Sequence, residues 1–198
     1  MCGLIAMLLV ILGGFLGVTA VENQPLFAQR TGEVTPTPIS TCAAPTSDQD
    51  LSDMLALVGT TFEPEIWTRQ TSGDSTRTTV TWTALSLGAT ASLTYLHSDC
   101  GVTQGQLDDY FDADSFETMF SNYLSYKQTA MCHRDDPSLN LYQFDALFSG
   151  YDYHALLWGE QVSPTRIAGF MLIFPSEDRA TQADYAKHLF PHLTTCTP

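Results

Sequence analysis

The chain has 198 residues, and its 22 acidic and 8 basic side chains give a formal net charge of −14. Apolar residues make up 44% of the sequence and charged residues 15%. This excludes a disordered chain, because disorder requires low hydrophobicity and dense charge. The acidic balance argues against nucleic acid as a partner, because binding phosphates requires clustered lysine and arginine.

Residues 1–20 are typical of a signal peptide or a membrane anchor. An uninterrupted apolar run over residues 4–20 has a length that suits either. Val18, Thr19 and Ala20 place small residues where a signal peptidase cleaves, whereas the first basic residue is Arg30. We therefore expect an extracellular or cell-surface protein that contacts a membrane only through this segment, if the segment is retained.

Residues 21–45 are predicted to form a Pro/Thr-rich linker, and residues 46–198 a single domain. Pro36, Pro38 and Pro45 favour extended backbone, and the linker has no hydrophobic periodicity.

The first part of the domain is predicted to contain one helix and three strands. Ser47 and Asp50 have the spacing of a capping box, and Gly59 suits the end of that helix. Alternating threonine, aromatic and apolar residues predict strands over residues 66–70, 76–87 and 91–97.

A longer helix, three further strands and a last helix are predicted to follow. Asp114 and Glu117 form a D-x-x-E box at the start of the longer helix. Its predicted apolar face consists of Phe116, Met119, Phe120, Tyr123 and Leu124. Strands are predicted over residues 139–148, 151–159 and 166–174, and the last helix from Ser176 to about Phe190.

This order predicts an α+β fold, with an antiparallel sheet of about five or six strands and about three helices packed on one face. The element order over residues from about 47 to 196 resembles that of the PsbP/Mog1-type sandwich. The resemblance implies a fold and assigns no functional residue.

Four cysteines follow the apolar segment, and an even number after an export signal predicts disulfides. Four cysteines allow three pairings. We expect Cys42–Cys196, which would tie together the ends of the domain, and Cys100–Cys132, which would bracket the helical segment. The long spacings give poor support to a zinc site.

Acidic side chains cluster before and at the start of the longer helix, and Asp108, Asp112 and Asp114 are the candidates for a metal site. The spacing of Asp112 and Asp114 fits a calcium loop, but the glycine and the later acid are missing. The alternative is helix capping plus a solvated surface.

Two histidine-containing groups are candidates for a metal site and a catalytic site, and each also has a purely structural explanation. His188 and His192 have the spacing of a helical metal pair, but Pro191 would end the helix between them. Cys132 and His133 would suit thiol catalysis only if the cysteine were free, and otherwise belong to a polar loop.

Aromatic residues crowd the last three strands. A concave sheet face lined by them would hold an apolar ligand or a glycan, whereas the alternative is the domain core. The candidate ligand-binding residues are Tyr142, Phe144, Tyr153 and Trp158.

No serine-hydrolase elbow, phosphate-binding loop or haem-attachment motif occurs in the sequence. We therefore expect a non-enzymatic exported domain, without a cofactor, that binds a protein partner or a small molecule. The alternative is a metal-dependent or acid/base hydrolase whose site is assembled only in the fold.

Overall fold

The computed structural model describes residues 47–73, 77–97, 100–103, 105, 107–108, 113–135, 138–191 and 193–196. These residues form one antiparallel sheet of seven strands with the order β1-β2-β3-β7-β6-β5-β4. The strands are β1 Thr68–Gly73, β2 Arg77–Ala84, β3 Ala89–His97, β4 Ser125–Asp135, β5 Ser138–Phe148, β6 Tyr151–Ser163 and β7 Arg166–Pro175. The α+β class is confirmed.

Within the described part of the chain, the sheet is accompanied by the α-helices α1 Asp48–Val58, α2 Ala113–Met119 and α3 Arg179–Leu189. The predicted capping box of α1 is confirmed, because Ser47 Oγ accepts from the Asp50 N–H while the Asp50 carboxylate accepts from the Ser47 N–H. Gly59 ends α1 with a φ of 53°, a value that favours glycine.

The first face of the sheet is covered by α1 and α3. Its core includes Met54 of α1 and Ala186 of α3, both fully buried against large side chains of the sheet. These sheet residues include Trp82, Trp158, Phe170 and Phe174.

The second face is covered by α2 over strands β5, β6 and β7. Phe116 and Phe120 pack there on Phe144, with ring centroids 4.8 and 5.0 Å apart. The expectation that all helices share one face is therefore wrong. The alternation of β5 explains this, because Leu141 points to the first core and Phe144 to the second.

The sheet has seven strands, one more than the largest predicted number, and the strand that was not predicted is β4. Its sequence lacks a regular alternation, its register shifts between Gln128 and Ala130, and none of its described side chains is buried. An edge strand of this kind has no apolar face to reveal it.

The helix α2 is shorter than predicted. Phe116, Met119 and Phe120 are buried as expected, but the chain leaves the helix after Met119. Leu124 is consequently 73% exposed, so its assignment to the apolar face is wrong.

The predicted disulfide pairing is also wrong. Cys132 is bonded to Cys196, with Cα atoms 5.5 Å apart. Cys132 lies on β4 and points to the first face. The C-terminal segment passes across this face, where the Leu193 carbonyl accepts a hydrogen bond from Trp158 Nε1 at 2.9 Å. Cys100 is disulfide-bonded as well, and Cys42 lies outside the described residues.

The predicted N-terminal segment, residues 1–20, and the linker, residues 21–45, also lie outside the described residues. Within the part of the chain that the structure describes, no helix has the length and apolar character needed to cross a bilayer.

Candidate functional site

A groove lies on the first face of the sheet between α1 and the C-terminal end of α3. Its inner cavity has a volume of about 40 Å³, and its outer depression, which is open to solvent, about 460 Å³. Leu57 lines both spaces and is 45% exposed. We call the two together the α1 groove.

One row of cross-strand neighbours explains why the cavity forms at this position. Glu160 of β6 is paired with Ala168 of β7, which is paired with Tyr95 of β3. The Ala168 side chain is a single methyl group between two long side chains, so the centre of the row leaves a depression in the surface of the sheet. Leu93 and Phe170 complete the apolar floor of the cavity.

Glu160 is the one charged side chain among the described residues that line the inner cavity. Burial raises the pKa of its carboxyl, and the charge of Arg134 partly offsets that effect. Arg134 belongs to the same cross-strand row but is separated from Glu160 by Leu139. The carboxyl group thus has apolar cross-strand neighbours, and no ion pair within 4.0 Å joins it to Arg134.

The outer depression is more polar. Arg166 lies at its edge and is bound to Asp50 of α1 through a hydrogen bond of 2.5 Å. The Tyr95 hydroxyl has a raised pKa, first because of burial and then because of the charge of Asp53. The groove therefore combines an apolar floor with an acidic residue that lines the inner cavity and polar groups in the outer depression.

A second polar group lies on the opposite face of the sheet. Asn140 is fully buried, and its Nδ2 donates to Asp108 Oδ1 at 2.9 Å. Because that assignment leaves Oδ1 of Asn140 as the acceptor, His133 donates to it from Nδ1 at 2.6 Å. Burial and the charge of Asp108 raise the pKa of the neighbouring Tyr142.

The three candidate metal ligands have different surroundings. Asp108 accepts from Asn140, Asp114 is exposed in the first turn of α2, and Asp112 lies outside the described residues. The described residues contain no group of three or more histidine, cysteine, aspartate or glutamate side chains that could hold a metal ion.

The four candidate ligand-binding aromatics are divided between the two cores. Tyr142, Phe144 and Tyr153 face α2, whereas Trp158 points to the first face and is fully buried. Their rings do not line a common surface.

The structure also describes part of the two histidine-containing groups. Cys132 is bonded to Cys196 and so is no thiol nucleophile in this state. His188 is exposed at the end of α3, and His192 lies outside the described residues.

Sequence reasoning missed Glu160, Ala168 and Leu57. A signal for Glu160 was present, because Leu156, Trp158 and Glu160 occupy alternate positions that point to one face of β6. An acid at an inward position of an apolar strand needs a partner or a function.

No protein-family model matches the chain, and no curated protein matches it. The solved structures that are similar to it include two bacterial proteins. One is PA94 of Pseudomonas aeruginosa, a protein of unknown function, with 16% identity and a TM-score of 0.37 over 55% of this chain and 73% of that chain. The other is LpqN of Mycobacterium tuberculosis, involved in cell envelope biogenesis, with 10% identity and a TM-score of 0.42 over 65% and 78%. The resemblance of the element order to the PsbP/Mog1-type sandwich stays a prediction.

Proposed function

We propose that this protein is a non-enzymatic exported domain that binds a small amphipathic molecule in the α1 groove. The observation that carries the proposal is the apolar cavity at Ala168, which shares the side chain of Leu57 with a wider depression. Binding sites for small molecules are concave and mostly apolar, with few polar groups that fix orientation.

Two features support export. The apolar run over residues 4–20 suits a signal peptide or anchor. The Cys132–Cys196 disulfide fits an oxidising compartment, because cytosolic thiols are kept reduced.

The binding function can be tested with N-phenyl-1-naphthylamine, a neutral dye whose fluorescence rises in apolar surroundings. We expect saturable binding to the wild type. Leu57→Ser should weaken it about tenfold, because the dye loses its contact with a leucine side chain. Leu85→Ser is the matched control, since Leu85 is 68% exposed and lies outside the groove.

Ala168→Leu provides an independent test, because the larger side chain would fill the inner cavity. We expect dye binding to weaken, because the dye loses the part of the groove nearest Ala168, while the far-ultraviolet circular dichroism stays unchanged. The proposal fails if the wild type does not bind the dye, or if Leu57→Ser and Leu85→Ser bind it equally well.

A second candidate, an acid/base hydrolase, is favoured by the chain of hydrogen bonds from His133 through Asn140 to Asp108. A histidine oriented through Nδ1 is suited to act as a base through Nε2. Hydrolysis of p-nitrophenyl acetate that is lost in His133→Gln and kept in His188→Gln would support this function over simple binding.

A further inference from the structure

The carboxyl group of Glu160 lies in an unusual environment for a charged group. Its cross-strand neighbours on either side are Leu139 and Ala168, and its neighbours along the same face of β6 are Trp158 and Val162. Four apolar side chains thus surround it on the sheet and displace water from the carboxylate.

Among the residues that the structure describes, none donates a hydrogen bond to Glu160 or forms an ion pair with it within 4.0 Å. Arg134 interacts with it electrostatically without forming an ion pair, and the backbones of their strands are two strand spacings, about 10 Å, apart. A partly buried carboxylate without a partner costs free energy, which a bound cation would recover.

We propose that Glu160 binds the cationic head group of the ligand, so that the α1 groove selects small cationic amphiphiles such as alkylammonium ions. This inference rests on the proposed binding function and adds the chemical class of the ligand. The ammonium group would donate to the Glu160 carboxylate, and the alkyl chain would lie across Leu57.

The dimensions of the groove fit this orientation. A cavity of about 40 Å³ accommodates two or three water-sized groups at most, since about 10–15 Å³ of such a cavity holds one water. An ammonium group and its first methylene are of that size. The rest of the chain would have to extend into the outer depression, where Tyr95 and Val162 offer apolar surface.

The charge of the protein favours the same class of ligand. The net charge of −14 attracts cations over the whole surface. Inside the groove, Arg166 is already paired with Asp50, so it is poorly placed to bind an anionic head group.

The test compares octylamine, octanol and octanoate as competitors that displace N-phenyl-1-naphthylamine. These molecules share one alkyl chain and differ in the head group. We expect octylamine to bind the wild type at least about tenfold more tightly than octanol, the factor expected of a hydrogen bond between charged groups, and octanoate to bind most weakly.

Glu160→Gln should remove the preference for octylamine over octanol and leave octanol binding unchanged. Glu117→Gln is the matched control, because it removes the same charge from an exposed position on α2, on the opposite face of the sheet. A preference that survives in Glu160→Gln, or that falls equally in Glu117→Gln, would overturn the assignment.

A measurement on the wild type covers the case in which Glu160→Gln does not fold. Acidification should abolish the preference as Glu160 becomes protonated, while octylamine stays charged. The other charged or titratable groups at the groove are Arg134 of β4, Asp50 and Asp53 of α1, Tyr95 of β3 and Arg166 of β7. Loss of the preference would support the assignment, and a preference that persists after acidification would overturn it.

The two proposals fail differently in these experiments. If none of the three octyl compounds displaces the dye, the α1 groove is no binding site for amphiphiles. If all three displace it equally, the groove binds alkyl chains and the role of Glu160 is wrong.

Discussion

Arg166, the first residue of β7, donates a hydrogen bond of 2.5 Å from Nε to the Oδ1 atom of Asp50 in the first turn of α1. The other oxygen of Asp50 accepts from Ser47, from its N–H at 2.7 Å and from its hydroxyl at 3.0 Å. One carboxylate therefore caps the helix and fastens it to the sheet. Because residues of α1 line the α1 groove, this pair also holds one side of the groove against the sheet.

Asp50→Ala should destabilise the fold by about 3 kcal/mol, because Asp50 is 1% exposed and its removal leaves a partly buried guanidinium unpaired. Urea denaturation would measure the loss. Asp48→Ala is the control, since Asp48 is exposed in the same turn of α1. Equal stabilities of the two variants would contradict the role of the pair.

The pH dependence of the Asp50 contribution has a defined sign. Burial alone would raise the pKa of Asp50, but hydrogen bonds from Ser47 and Arg166 outweigh it and lower the pKa below its ordinary 3.8. The carboxylate therefore contributes its stability above pH 3.8, and the contribution is lost as the pH falls through the lowered pKa. The difference between wild type and Asp50→Ala should shrink in that acidic range.

Phe120→Asp should cost several kcal/mol and abolish soluble folding. Phe120 is 1% exposed and its ring lies 4.9 Å from that of Tyr126 and 5.0 Å from that of Phe144, so an aspartate there would be a buried unpaired charge. Thermal melting of Leu124→Asp provides the comparison, because Leu124 is exposed. If both variants melt within a few degrees of the wild type, Phe120 does not anchor the second core.

Much of the fold follows from local rules that the sequence displays. The capping box at Ser47 marks the start of α1, and the turn at Ser149 and Gly150 separates two strands with clear alternation. What could not be predicted depends on non-local contacts. Strand β4 is polar and irregular, and it is a strand because β5 offers it hydrogen bonds.

The candidate sites depend even more on the tertiary structure. Glu160, Ala168 and Tyr95 lie on three strands, and only the sheet register brings them into one row. Likewise, Asp108 meets Asn140 across 32 positions of the chain. A single sequence contains the alternation of each strand but not the register that joins them.

Peptide mapping without reduction should recover one fragment that links Cys132 to Cys196. The bond ties the C-terminal segment to edge strand β4 and closes a loop with a sequence separation of 64, so Cys196→Ser should lower the midpoint of denaturation. The only other cysteine after residue 20 that is left for Cys100 is Cys42. A Cys42–Cys196 fragment would contradict this pairing.

His154 of β6 is a buried histidine that connects the sheet to Gln182 of α3. Its Nδ1 lies 2.6 Å from Oε1 of Gln182, while Nε2 of Gln182 donates to the carbonyls of His154 and Leu172 at 2.9 and 2.8 Å. Because both amide hydrogens of Gln182 are used, its Oε1 must be the acceptor and His154 Nδ1 the donor.

Burial lowers the pKa of His154 below its ordinary 6.5, and the charge of Arg179 adds to this effect, while Gln182 and Asp145 oppose it. Between the lowered pKa and pH 6.5, the unfolded chain binds more protons at this position than the folded one. The free energy of unfolding should therefore decrease as the pH falls below 6.5.

His154→Asn should flatten this dependence of the unfolding free energy on pH, because asparagine keeps a donor for Gln182 and does not titrate. Denaturation at about pH 7 and about pH 5 would measure it, the interval in which histidine changes charge. The exposed His188, replaced by asparagine, provides the control and should retain the wild-type profile. If His154→Asn loses as much stability on acidification as the wild type, protonation of other groups governs the acid sensitivity of the fold.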